Sequence, residues 1–163
     1  MIKGILGIHH VALSVPSLEE AEAFYVGLLG MEKIARWDFG ASKVSDQILK
    51  LNQAAAKTLM LRCGNMHLEI FEFTSPPAAA QYPQRPVCDH GYTHIAFDVD
   101  INEIQNVYER LDTAGVTWHS ELFHDPQEGL TTTYGRDPFG NVIEIQALSP
   151  DCSFYTTRTH HDQ

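Results

Sequence analysis

The chain has 163 residues, of which 44% are hydrophobic and 20% charged, so it can bury roughly 70% of its unfolded surface without disulfides or staples. Acidic residues outnumber basic ones by 21 to 11, for a net charge of −10, and no basic run offsets them, which excludes nucleic acid and anionic membranes as partners. No apolar stretch approaches the ~20 residues of a membrane-spanning helix. In chain order, residues 7–15 (GIHHVALSV) read as a strand. A helix follows: Ser17 and Glu20 have capping-box spacing, Leu18, Ala21, Tyr25, Leu28 and Leu29 share one face, and Gly30 ends it. Strands are expected near 33–39 and 57–63, with residues 45–55 an extra, weakly helical insertion. HLEIFEF at 67–73 reads as the next strand.

Four of the eight prolines (Pro76, Pro77, Pro83, Pro86) then cluster, so residues 76–90 read as a linker. Residues 91–99 (GYTHIAFDV) repeat 7–15 at an offset of 84, with Gly, His, Ala and Val coinciding. Asn102 with Gln105 offers a helix start, Ile104, Val107, Tyr108 and Leu111 form a face, and Gly115 closes it. Strands are expected near 116–122 and 131–136. Asp137-Pro138-Phe139-Gly140 fits a type I turn, and VIEIQAL at 142–148 repeats 67–73 at an offset of 75. The chain is therefore expected to be α+β, with two tandem β-α-β-β-β modules at 5–75 and 91–148 and a polar tail at 149–163. The tail is expected to be loosely held, with Phe154 and Tyr155 able to dock on the body and His160 and His161 solvated.

The repeat superposes His10 on His94 and Glu69 on Glu144. A carboxylate in the middle of an apolar strand is costly to bury alone. Two of them facing one cavity raise each other's pKa unless a cation lies between. A set of two imidazoles and two carboxylates suits one divalent ion: Zn, Ni, Co, Mn or Fe. His10, Glu69, His94 and Glu144 are therefore the candidate metal ligands. His67 shares a strand face with Glu69, and Tyr134 and Arg136 sit on the strand expected to pair with Glu144; these three are candidate substrate contacts. Adjacent strand residues point to opposite faces, so His9 is expected to point away from His10. Trp37 and Trp118 read as core or lining. Cys63, Cys88 and Cys152 are an odd number with no C-x-x-C spacing, and the N-terminus does not read as a signal peptide. A reduced, cytoplasmic setting is expected.

His10-Val-Ala-Leu-x-Val, the capped helix with Phe24-Tyr25 and Leu29-Gly30, His67-Leu-Glu-Ile-Phe, Thr93-His-Ile-Ala-Phe and Asp137-Pro-Phe-Gly-Asn before Ile143-Glu144 resemble the vicinal oxygen chelate superfamily. The resemblance covers residues 5–148 and is nearest to glyoxalase I and methylmalonyl-CoA epimerase-type members. It implies modules that curl into a cup around a metal, with His10, Glu69, His94 and Glu144 as ligands. It implies a metal-dependent lyase or isomerase/epimerase that stabilises an enediolate or enolate of a small carbonyl or thioester substrate, Glu69 and Glu144 moving the proton. An extradiol-type Fe(II) dioxygenase, using His10, His94 and Glu144, and a non-catalytic drug-binding protein are the alternatives. It also implies a homodimer, with the metal site inside one chain or shared between two.

Overall fold

Two four-residue strands, Val11–Ser14 (β1) and Ile95–Asp98 (β5), each lie parallel to the last strand of their own half of the chain. The computed structural model describes residues 4–79 and 85–153. The chain divides into two compact units, Met1–Ala80 and Gln81–Gln163.

In the first unit β1 is followed by a helix, α1 (Leu18–Glu22), then by β2 (Glu32–Phe39), a short helix α2 (Lys43–Leu49), β3 (Ala55–Cys63) and β4 (Met66–Ser75). The sheet order is β1-β4-β3-β2, with β2-β3-β4 antiparallel. Ser17 caps α1: its hydroxyl accepts from the Glu20 amide, satisfying one of the donors a helix start leaves orphaned. The helix then widens to π geometry over Ala23–Leu28, where the Leu29 amide bonds back to the Phe24 carbonyl. That widening keeps both Phe24 and Tyr25 buried. Gly30, at φ 71°, lets the chain turn into β2.

Leu18, Tyr25, Leu59, Leu61 and Ile70 are fully buried between this helix and the sheet. Burial of each such side chain contributes about 1.5–3 kcal/mol. The helix start is also pinned to β4, where Glu72 accepts from the Leu18 amide at 2.8 Å and from Lys57 at 2.6 Å. The weakly helical insertion expected at 45–55 is helical over Lys43–Leu49 (α2), which opens with a Ser42–Ser45 capping box and ends at Lys50.

The second unit repeats the plan: β5, α3 (Ile104–Thr113), β6 (Thr117–Trp118), β7 (Phe123–Asp125), β8 (Leu130–Arg136) and β9 (Val142–Leu148). Its sheet runs β5-β9-β8-β6, with β7 also on β8. Ile104 and Leu111 of α3 are buried, as are Ile143 and Ile145 of β9. Three expectations are corrected here. The α3 helix is capped by Glu103 with no side-chain bond, because Asn102 is already held in a turn by the Asp100 carboxylate. The strand expected over 116–122 pairs only at Thr117–Trp118, since Ser120 turns its hydroxyl to the Glu121 carbonyl and to Thr133. Both opening strands start later than their apolar runs suggest, at Val11 and Ile95. Asp137 holds the β8–β9 turn as expected, accepting from the amides of Phe139 and Asn141 at 2.9 and 2.8 Å and, through its carbonyl, from Gly140. Phe154, Tyr155, His160 and His161 lie outside the described residues.

Candidate functional site

The register places the two glutamates identically. On β4, Glu69 lies opposite Ala12 of the parallel strand β1; on β9, Glu144 lies opposite Ala96 of β5. In each case a histidine sits two residues before that alanine, just ahead of the strand's first residue. The result is the same pair built twice. His10 Nε2 lies 3.1 Å from Glu69 Oε2, and His94 Nε2 lies 3.1 Å from Glu144 Oε2.

The surroundings of the two pairs differ. Glu144 is buried, its side chain 9% exposed. Thr132, two residues before Tyr134 on the neighbouring strand, donates its hydroxyl to Glu144 Oε1 at 2.6 Å. Tyr134 lies directly opposite Glu144, hydrogen bonds to it, and packs edge-on against the His94 ring at 4.9 Å. Burial, then that hydrogen bond and the charge of Glu144, push the Tyr134 hydroxyl above the usual tyrosine pKa, so it stays a proton donor to the carboxylate at neutral pH. Glu69 has His10 as its polar side-chain partner among the described residues. The residue in the place of Thr132 is Thr58, two before Met60, which faces Glu69. The Thr58 hydroxyl is buried and has no hydrogen-bond partner among the described residues.

Behind each histidine stands the preceding residue. Thr93 Oγ1 lies 3.0 Å from His94 Nδ1, and His9 Nδ1 lies 2.8 Å from His10 Nδ1. His9 therefore does not point away from His10. Residues 4–10 precede the regular strand, so strand alternation does not govern them, and the His9 ring stacks on His67 at 5.6 Å. His67 thus touches the first pair through His9. Arg136 shares the strand face of Tyr134, but two nitrogens of its guanidinium donate to the carbonyls of Gly140 and Arg85, each at 2.7 Å. Trp118 stacks on Tyr108 at 4.8 Å, whereas Trp37 is 40% exposed.

Sequence reasoning missed Thr132 and Thr93. Thr132 was open to it, since it lies on the same face of β8 as Tyr134. The bond from Thr93 depends on a side-chain rotamer outside regular structure, for which the sequence carries no signal. Among the described residues, no group of three or more His, Cys, Asp or Glu could hold a metal by itself. No helix among them is long and apolar enough to cross a membrane.

The match that decides the family spans residues 7–145, which fit the glyoxalase/bleomycin resistance protein/dioxygenase superfamily model. The chain belongs to that superfamily. Among curated proteins it is 28% identical to a 2-epi-5-epi-valiolone epimerase of Actinomyces sp., covering 94% of this chain and 85% of that one. It is 29% identical to glutathione transferase FosA of Serratia marcescens, covering 87% and 81%. Among solved structures, a glyoxalase family protein from Bacillus cereus superposes with a TM-score of 0.80 at 23% identity, over 91% of this chain and 99% of that one. This last likeness is one of fold. The epimerase and the glutathione transferase are enzymes by name.

Proposed function

We propose that the two His–Glu pairs together hold one divalent cation, and that the protein is a metal-dependent lyase or isomerase/epimerase of glyoxalase type acting on a small carbonyl or thioester substrate. One observation carries this reading: each unit builds the same His Nε2–Glu carboxylate pair, at the same register and the same 3.1 Å. The donor chemistry fits the group. Two imidazole nitrogens and two carboxylates are a charge-balanced set for Zn2+, Mn2+, Ni2+, Co2+ or Fe2+. The epimerase relative supports an isomerase over the lyase form of the same proton chemistry.

A bound divalent cation would polarise the substrate carbonyl and stabilise the negative charge left when the neighbouring C–H loses its proton. The residues divide the remaining work. Glu144 is fixed by His94, Thr132 and Tyr134, so it is the anchored member. Glu69 is held by His10 and is the carboxylate able to swing out, take the substrate proton and return it. His67 borders this base through His9 and offers a substrate contact on the same sheet face. Tyr134 stays protonated, so it stabilises carboxylate charge and does not compete as a base.

The test is metal analysis of protein purified without chelators, followed by deuterium exchange from solvent into 2-oxo and thioester substrates. Stoichiometric metal, with exchange abolished by a chelator, is the expected result. A chain that lacks metal, ignores chelators and still binds small apolar molecules would instead be a sequestering protein.

A further inference from the structure

We propose that His9 and Thr93 are positioning residues for metal uptake: each grips the Nδ1 of the next residue, His10 or His94, and so aims that ring's Nε2 at the cation. The inference rests on the metal reading above and adds two residues to it.

Hydrogen-bond direction carries the argument. As the structure stands, each Nε2 lies 3.1 Å from a carboxylate oxygen. A carboxylate only accepts, so Nε2 carries a hydrogen, and in the neutral ring Nδ1 is then the acceptor. The neighbour then donates: the Thr93 hydroxyl to His94, and the His9 Nδ1–H to His10. A cation needs the lone pair of Nε2, which moves the ring hydrogen to Nδ1. Nδ1 now donates and the neighbour must accept. Each imidazole changes tautomer with no net gain or loss of a proton.

The grip therefore needs a neighbour that can both donate and accept. A hydroxyl does so by rotating, and a neutral imidazole does so by exchanging tautomers. A lysine or a carboxylate would hold only one of the two states. The two units meet this demand with different side chains at the same position, immediately before the histidine. The His9 ring is itself held, lying within 7° of parallel to His67.

The test uses the full chain, stripped of metal and titrated with Zn2+ alone. Thr93→Val keeps the side-chain shape and removes the hydroxyl; His9→Phe keeps a ring for His67 and removes the nitrogens. Each is expected to weaken Zn2+ binding about 10- to 100-fold, the usual effect of removing such an outer partner. Thr93→Ser is expected to bind like the wild type. Nitrogen-15 spectra of the metal-free protein give a readout independent of metal. The His94 Nδ1 resonance should report an accepted hydrogen bond in the wild type and in Thr93→Ser, and lose it in Thr93→Val. Wild-type Zn2+ affinity in both Thr93→Val and His9→Phe overturns the proposal. So does a wild-type Nδ1 resonance of a free imidazole nitrogen, a result that requires no variant to fold. A wild-type chain that takes up no Zn2+ removes the metal reading, and the metal-free spectra then decide the grip on their own.

Discussion

Glu144 is tied by three groups where Glu69 is tied by one, and this difference assigns separate roles to residues that the repeat makes equivalent. Glu69→Gln should lower kcat by about 100-fold or more, the usual contribution of a positioned base, while leaving metal stoichiometry largely intact, because an amide oxygen still coordinates. Glu144→Gln should lose metal and activity together, since its amide group would meet the hydroxyl donors of Thr132 and Tyr134 that a carboxylate accepts. The checks are kcat under saturating substrate and metal content of the same preparations. Equal loss of both in Glu69→Gln would leave Glu69 a ligand only. The pairing of His10 with Glu69 and of His94 with Glu144 was legible in the sequence because the chain states it twice. Their unequal fixing was not legible. It arises from Thr132 and Tyr134 on a neighbouring strand, and no corresponding hydroxyl reaches Glu69.

At the scale of elements, the first unit's helix depends on a carboxylate of its own sheet. The ion pair with Lys57 and the Leu18 amide bond hold the Glu72 carboxyl below the ordinary value of 4.5, against the opposing effect of burial. A depressed folded pKa contributes stability above pH 4.5, and that contribution is lost as pH falls through the folded value. Glu72→Ala is therefore expected to cost about 1 kcal/mol at pH 7, the scale of a lost helix cap. Urea denaturation should show this gap from wild type shrinking at pH 3. A gap that persists unchanged at low pH would assign the loss to packing.

The second unit depends on a glycine. A Cβ at Gly135 would lie 2.6 Å from Trp118 Cε3 and 3.1 Å from the Thr117 carbonyl. Gly135→Ala must therefore push Trp118 off Tyr108 and open the two-residue β6 pairing. An overpacking cost of about 1–3 kcal/mol is expected, read as a lower thermal midpoint with a red shift in tryptophan emission. A midpoint within a degree of wild type would mean that β6 contributes little. The strand and helix order could be read from periodicity and turn residues, as at Asp137-Pro138. The late start of β1 and β5, and the π widening at Ala23–Leu28, could not, because apolar composition does not say where hydrogen-bond pairing begins or which turn spacing buries both Phe24 and Tyr25.

On the scale of the whole molecule, each unit holds only half of the proposed ligand set, so the proposed site would take one pair from each of two units. In both sheets the strand next to the histidine, β1 or β5, is an edge strand, and Ile5, Leu6 and Ile8 just before β1 are exposed. Edges with apolar flanks invite pairing with another chain, and closed twofold dimers are the commonest solution. We therefore expect a homodimer in solution, of about twice the 18.3 kDa chain mass, and sedimentation at micromolar concentration checks it. The two units that complete one site belong either to one chain or to two, and a mixing experiment separates these cases. A His10→Ala chain has a damaged first unit and an intact second; a Glu144→Ala chain is the reverse. If sites form within chains, every site in the mixed dimer carries a lesion and metal binding stays low. If sites form across chains, one site combines both lesions and the other is wholly intact. Recovery of about half the wild-type metal content per mixed dimer would then place each site between partners, and no recovery would place it within the chain.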